Sequence, residues 1–120
     1  MQPLIIKQDL TKEFTSEERC YILETSNSTD DTLSITRARV APGITTKWHE
    51  VRGTVERYII AEGRGRVEVG DLPAQNVGPG DIVLIPPGIR QRITNAGPAD
   101  LIFYCVCTPR FQQSAYRSLE

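Results

Sequence analysis

Residues 43–63 read GITTKWHEVRGTVERYIIAEG, and residues 80–95 read GDIVLIPPGIRQRITN. Both stretches start at a glycine, run through a short apolar segment and reach a polar side chain. Glycine tolerates positive φ and proline removes a backbone donor, so residues of this kind end strands and reverse the chain. The two stretches therefore predict two strand pairs of similar design. The strand period of two puts Glu56 and Tyr58 on one face, and Gln91 and Ile93 on another.

The rest of the chain continues this pattern, because turn signals separate short runs of β-branched and aromatic residues. Such spacing predicts an all-β sandwich or barrel. The continuous apolar run Ile82–Ile85 predicts a strand covered on both faces. Thr15 and Glu18 have the spacing of a capping box, which predicts a short helical turn. The predicted strands are Tyr21–Glu24, Thr32–Val40, Val55–Ala61, Arg64–Val69, Asp81–Ile85, Gln91–Thr94 and Leu101–Cys107.

Length and composition narrow the possible functions. The chain has 120 residues, a net charge of −1, three cysteines and one histidine. This length predicts one domain over residues 1–120, and the charge gives no reason to expect nucleic-acid or membrane partners. A single histidine excludes multi-histidine metal sites built from one chain. Unpaired cysteines without a recognisable leader sequence predict a cytoplasmic protein.

The two stretches resemble the paired signatures of the cupin superfamily, G-x5-H-x-H-x3–4-E-x6-G and G-x5-P-x-G-x2-H-x3-N. The first is matched at Gly43, His49, Glu56 and Gly63, and the second at Gly80, Pro86, Gly88 and Asn95. The chain is most similar to small single-domain conserved-barrel cupins. The resemblance implies a double-stranded β-helix, or jelly-roll barrel. We expect a core barrel at about 32–107, an N-terminal strand or arm over 1–31, and a C-terminal arm or short helix over 108–120.

This sequence departs from the family pattern at two metal-ligand positions. The family site takes two histidines and a glutamate from the first motif and a histidine from the second. Here Val51 and Gln91 stand where two of those histidines would be. The resemblance therefore implies a degenerate site in which His49, Glu56 and Gln91 could hold one Zn, Mn, Fe or Ni ion. A site without metal is the alternative, because a neutral amide is a poor replacement for imidazole.

Several further residues are candidates for the barrel pocket. His49 and Glu56 are the candidate catalytic pair, acting as acid and base if no metal is bound. Gln91, Tyr58, Trp48, Arg39 and Cys105 are the candidate ligand-pocket residues. Trp48 and Tyr58 could equally belong to the core, Arg39 to a solvated face, and Cys105 to the barrel wall. Parity alone leaves each of these alternatives open.

Two functions of different class follow from the resemblance. The first is a small-molecule enzyme, such as an isomerase, lyase or dioxygenase, acting on a small polar or carbohydrate-like substrate. The second is a non-catalytic ligand-binding or sensor cupin that has lost its metal. A homodimer is expected in either case, because exposed edge strands need cover and the apolar residues Leu4, Ile5 and Ile6 could supply it.

Overall fold

The β-branched and aromatic runs form strands in the computed structural model, which describes residues 1–120. Two 3-10 turns, Leu10–Lys12 and Gln113–Ala115, complete the regular structure. No helix is long and apolar enough to cross a bilayer. The strands are β1 Phe14–Thr15, β2 Tyr21–Ser26, β3 Ser34–Val40, β4 His49–Val51, β5 Val55–Glu62, β6 Gly65–Val69, β7 Gln75–Val77, β8 Ile82–Ile85, β9 Gln91–Asn95, β10 Leu101–Thr108 and β11 Tyr116–Ser118.

The strands form two antiparallel sheets. The larger sheet has the order β1-β2-β3-β10-β5-β8, and the smaller has the order β11-β4-β9-β6-β7. Some neighbouring strands are distant in sequence, as in β3–β10 and β4–β9, so each sheet contains strands from both halves of the chain. The predicted all-β jelly-roll architecture is confirmed.

All seven predicted strands are present, and the four additional strands have three residues or fewer. The prediction that Ile82–Ile85 is covered on both faces is wrong. Ile82 and Leu84 are 67% and 60% exposed, whereas Val83 and Ile85 are buried. β8 is the edge strand of the larger sheet, and no further layer covers its outer face. The apolar run therefore leaves an exposed apolar strip on the surface.

The inward faces of β3, β5, β9 and β10 divide the interior into two ends. At one end the buried residues are aliphatic, with Val40, Ile60, Ile93 and Leu101 each at most 1% exposed. We call these four residues the closed end. Toward the other end the same strands carry polar inward residues, and a cavity opens between the sheets. We call that region the open end.

The two terminal segments of the chain form short strands and turns. The predicted helical turn at Thr15–Glu18 is instead the end of β1 followed by a turn, in which Arg19 has a φ of 68°. The C-terminal segment is a docked arm rather than a helix, because β11 pairs with β4. This pairing places the last strand of the chain beside His49.

The motif glycine Gly63 stands where the chain has no room for a side chain. Its φ is +83°, and an added Cβ would lie 2.6 Å from the carbonyl oxygen of Asp100. Asn95 closes the neighbouring turn, because its Nδ2 donates to the carbonyl oxygens of Val40 and Ala99 at 2.8 Å. Both residues stabilise the course of the backbone near the closed end, and neither lines the cavity.

Candidate functional site

The open end encloses a cavity of about 340 Å³ between the two sheets. Its apolar lining includes Phe14, Ile22, Phe103 and Phe111, contributed by both terminal arms and the larger sheet. A cavity of this size and apolar character, with a few converging polar groups, is typical of a small-molecule site. The polar lining includes Glu18, His49, Glu56, Tyr58 and Cys105.

His49 is the first residue of β4 and is buried. Its Nδ1 lies 2.8 Å from the carbonyl oxygen of Lys47. A carbonyl can only accept, so Nδ1 donates its proton and the neutral ring keeps a free lone pair on Nε2. The ring of Tyr116 stacks on the imidazole, with centroids 5.1 Å apart. The backbone and Tyr116 thus fix the tautomer and the plane of the ring, and Nε2 remains able to accept a proton.

Glu18 lies opposite that nitrogen, with its Oε1 3.5 Å from His49 Nε2. Its side chain is only 23% exposed. Burial raises the pKa of Glu18 to about 7, helped by the charge of Glu17 and opposed by a hydrogen bond from the Cys20 thiol. A carboxyl with this pKa is protonated in part of the population at neutral pH, so it can either donate or accept a proton.

Glu18 is a cavity residue that sequence reasoning missed. The sequence assigned it to a capping box, because Thr15 has the matching spacing. Only the tertiary fold brings this residue of the N-terminal arm to the imidazole of β4. No local pattern could have indicated the contact.

Glu56, Gln91 and Tyr58 form a buried chain of hydrogen bonds. The Tyr58 hydroxyl donates to Gln91 Oε1, and Gln91 Nε2 donates to Glu56 Oε1. The thiol of Cys105 donates to Glu56 Oε2 at 3.0 Å. Burial raises the pKa of Glu56, and three effects oppose it: the hydrogen bond from Cys105, the positive charge of His49 when its ring is protonated, and the hydrogen bond from Gln91. Gln91 lies behind the cavity wall, fully buried, and positions Glu56 rather than contacting the cavity.

Three of the predicted pocket residues do not line the cavity: Gln91, as described above, Arg39 and Trp48. Arg39 points to the outer face of β3, since Ala38 faces inward, and it forms ion pairs with Glu13 at 2.6 Å and Asp100 at 3.2 Å. Trp48 packs under two arginine side chains on the outside of the smaller sheet. In both cases the adjacent residue in the sequence is the one that faces inward.

Comparison with known families settles what kind of fold carries this site. The family model described as the cupin domain matches residues 36–107. This chain is a cupin. The matched region contains His49, Glu56 and Gln91, and it leaves out Glu18 and Tyr116, which both arms bring to the same cavity. No curated protein matches the sequence.

Solved structures similar to this cupin include Streptomyces Pac13 with uridine bound, which is 14% identical. The alignment covers 100% of this chain and 93% of that chain, with a TM-score of 0.80. Another structure of Pac13 describes it as a nucleoside dehydratase. KdgF from Halomonas sp. is 12% identical over 94% of this chain and 99% of that chain, with a TM-score of 0.82. These likenesses concern the fold.

An oxalate decarboxylase from Lactobacillus farciminis, in complex with formate, is also similar to this cupin. It is 22% identical, with a TM-score of 0.78. The alignment covers 90% of this chain and 33% of that longer chain. The likeness therefore relates this cupin to one part of a larger protein.

The family metal positions of this cupin do not fit a metal ion. Val51 offers no donor atom. Gln91 turns its NH₂ group toward Glu56, and its one ligand atom, Oε1, accepts the proton of Tyr58. His49 and Glu56 are then the only family ligands that remain, and two side chains fall short of the three protein ligands of an open site. A different group, formed by Glu56, Cys105 and Cys107, could hold an ion, since its three ligand atoms lie within 4.8 Å of one another.

Proposed function

We propose that this cupin binds a small polar molecule in the open-end cavity and transfers a proton to or from it, as a lyase or isomerase. The observation that carries the proposal is the pairing of His49 Nε2 with the Glu18 carboxyl across 3.5 Å. The ring is held by Lys47 and Tyr116, and its free nitrogen faces Glu18, which also lines the cavity. A fixed base beside a carboxyl that titrates near neutral pH is suited to general acid–base chemistry.

The two residues have distinct roles in the proposal. Neutral His49 removes a proton at Nε2, and its Nδ1 hydrogen bond to the Lys47 carbonyl stabilises the imidazolium that forms. Protonated Glu18 donates to the leaving oxygen or returns the proton at a second carbon. Glu56 has both oxygens engaged by Gln91 and Cys105, so it shapes the opposite wall. Glu18 therefore takes the acid role that the sequence assigned to Glu56.

The substrate class follows from the cavity. Aromatic rings line part of it, and carboxyl, hydroxyl and imidazole groups line the rest. Such a lining suits a small molecule that has one apolar or ring face and several hydroxyl groups. The similar fold of Pac13, a nucleoside dehydratase solved with uridine, makes nucleosides the first ligands to try. Sugar acids are the second group, because they present the same hydroxyl pattern with a charged end.

The experiment has two stages. A thermal-shift screen with uridine, other nucleosides and sugar acids identifies ligands, and proton NMR in D₂O then follows exchange or product formation on each hit. His49→Gln and Glu18→Gln should each lower the rate by about 10²–10⁴-fold. Glu50→Gln is the matched control, because Glu50 lies on the same strand and pairs with Arg117 instead. Ligand binding with no turnover or exchange would overturn the enzymatic proposal.

A binding-only cupin is the second candidate. The observation that favours it is the closed hydrogen-bond chain of Tyr58, Gln91 and Glu56, which leaves no free polar atom of Gln91 for chemistry. This candidate predicts ligands that stabilise the fold, with affinity unaffected by Glu18→Gln at pH 5. Turnover of any hit would exclude it.

We also propose that the chain pairs with a second copy. Exposed Ile59, Ile82 and Leu84 form an apolar strip at the β8 edge, and Leu4 and Ile5 are exposed on the N-terminal segment. Burying such surfaces against each other would remove both from water. Sedimentation should give about twice the chain mass of 13.4 kDa. A monomer at the chain mass would contradict the proposal.

The state of the cysteines supports a cytoplasmic location, which we propose on this ground. All three cysteines are free, as expected of a protein from a reducing compartment. Thiol labelling in cell extract before any reductant is added should modify all three once the protein is unfolded. A mixed or intramolecular disulfide under those conditions would contradict this location.

A further inference from the structure

Three donor side chains that the proposed proton transfer does not use meet on one wall of the cavity. Cys107 and Glu56 are direct partners across β10 and β5, and Cys105 lies two residues earlier on the same face of β10. All three side chains line the cavity. Their sulfur and oxygen atoms lie within 4.8 Å of one another. The sheet register itself therefore brings together two thiols and one carboxyl.

The spacing matches the coordination of a small tetrahedral cation. Two thiolates bound to Zn²⁺ at about 2.3 Å stand about 3.8 Å apart when the angle is tetrahedral. The Sγ atoms of Cys105 and Cys107 are 3.7 Å apart. The Cys105 Sγ to Glu56 Oε2 distance is 3.0 Å, a direct S–H···O hydrogen bond that a metal ion would replace. A shift of about half an ångström in the carboxylate opens that edge to the tetrahedral value.

The carboxylate is already oriented for this role. Gln91 Nε2 donates to Glu56 Oε1, which leaves Oε2 facing the thiols. The Tyr58 hydroxyl in turn fixes the Gln91 amide. Hydrogen bonds of this kind behind a ligand hold it in place and strengthen metal binding. At the position where the family has a ligand histidine, this chain thus has Gln91, whose amide orients the Glu56 carboxylate.

We propose that Glu56, Cys105 and Cys107 bind one thiophilic divalent cation, with Zn²⁺ as the best match. Thiolates select zinc over magnesium, calcium and manganese, and one carboxylate is within its usual donor set. Both thiols lose their protons to solvent on binding, as coordinating thiols do. The three ligands come from the wall of the larger sheet, and the fourth position faces the cavity. None of the three ligands is His49 or Glu18, the pair that carries the proposed proton transfer.

Cobalt titration of the reduced, chelator-treated protein tests the proposal, because Co²⁺ reports on zinc sites through its spectrum. We expect one Co²⁺ per chain, a thiolate-to-cobalt charge-transfer band and the intense visible bands of tetrahedral cobalt, all removed by equimolar Zn²⁺. Zinc should also protect two of the three thiols from a thiol reagent. Cobalt binding without the charge-transfer band would overturn the proposal, as would the absence of binding.

Variants locate the site. Cys105→Ser and Cys107→Ser should each weaken Zn²⁺ binding by at least 100-fold in a calorimetric titration. Cys20→Ser is the matched control, because Cys20 is also buried but bonds to Ser16 and Glu18. His49→Gln should bind zinc as the unmodified chain does. Loss of zinc binding in this variant would show that the metal lies at the family position, and it would overturn the proposal. Glu56→Gln keeps the side-chain shape and should weaken binding even if a serine variant fails to fold.

These outcomes are separable from those of the proposed function. A chain that binds no zinc but loses turnover in His49→Gln keeps the proton-transfer proposal and loses this one. Zinc binding with the expected spectrum, but no turnover of any ligand, supports the zinc site and contradicts the proton-transfer proposal.

Discussion

The closed end and the open end of the barrel use the same strands for opposite purposes. β5 places Ile60 at the closed end and Glu56 at the open end, and β10 places Leu101 and Cys107 in the same way. All four side chains are buried and all point inward. The backbone therefore treats the two ends alike, and only the side-chain chemistry differs.

The difference shows how a small barrel holds polar groups in its interior. At the closed end, burial is favourable by itself, because aliphatic surface leaves water. At the open end, burial of Glu56 and Gln91 is tolerated because they are partners of each other and of Tyr58. Apolar packing is thus concentrated at one end and paired polar groups at the other. The four predictions below test that division, from the largest expected effect to the smallest.

Leu101→Ala should cost about 2–5 kcal/mol of unfolding free energy, because it leaves a cavity in the tightest part of the barrel. Leu101 is 0% exposed. Urea unfolding followed by tryptophan fluorescence measures the change. The control is Leu84→Ala on the outer face of β8, which should change stability by less than about 0.5 kcal/mol. Equal losses of unfolding free energy at the two positions would contradict the special role of the closed end in stability.

Tyr58→Phe should cost about 1–3 kcal/mol, because the buried carbonyl oxygen of Gln91 loses its donor. Adding Gln91→Leu should cost less in the Tyr58→Phe background than in the parent chain, since the acceptor left without a donor is removed, whereas Glu56 loses the same donor in both backgrounds. The double variant measured beside both single variants gives the coupling. Strictly additive losses would show that the open end is not held by this hydrogen-bond chain.

Glu18→Gln should stabilise the fold at pH 8 by about 1–2 kcal/mol, given the partial exposure of the side chain. The folded pKa of about 7 lies above the ordinary value of 4.5, so the folded state holds the proton more tightly. Native stability therefore falls as pH rises from about 4.5 to 7 and is level beyond. Unfolding at pH 4 should show no difference between the two proteins.

The groups that face Glu18 also influence its pKa, so they affect the size of the predicted stability change. They are His49, Cys20, Glu17 and Tyr116. Of these, the imidazolium form of His49 would stabilise the Glu18 carboxylate and reduce the effect. Repeating the measurement in a His49→Gln background separates the two contributions. A Glu18→Gln variant that is less stable than the parent at pH 8 in both backgrounds would contradict the burial argument.

Trp48→Phe should change the affinity for any cavity ligand by less than about twofold, since Trp48 packs outside the smaller sheet. It lies 4.3 Å and 4.9 Å from the guanidinium carbons of Arg92 and Arg90. Its loss removes only those exposed contacts, which are worth about 0.5–1 kcal/mol each to stability. A calorimetric titration of the best ligand from the screen checks the affinity. A tenfold loss would place Trp48 at the ligand after all.

Much of the fold could be predicted from the sequence, because its signals are local. Glycine and proline mark the strand ends, and the period of two assigned Glu56 and Tyr58 correctly to one buried face. Strands of three residues or fewer, such as β4 and β11, are too short to show a period and were missed. The exposure of Ile82 was missed for another reason, because an edge position depends on the whole sheet order.

The candidate site was predictable only in its central part. His49, Glu56, Tyr58 and Cys105 line the cavity, as motif spacing and parity suggested. Parity left Arg39 open between the pocket and a solvated face, and the structure places it on the outer face of β3, next to the inward residue Ala38. Glu18 could not be found, because a contact between the N-terminal arm and β4 leaves no trace in local spacing.

The docking of β11 beside β4 has a further consequence. Glu18, His49 and Tyr116 meet at one point, although they come from opposite ends and the middle of the chain. β11 is held by three residue pairs and β1 by two, so we expect these two strands to open before the barrel strands. A ligand that touches both arms would tie them together. Its arrival should therefore be visible as slower trimming of both chain ends by proteases, even before any product is known.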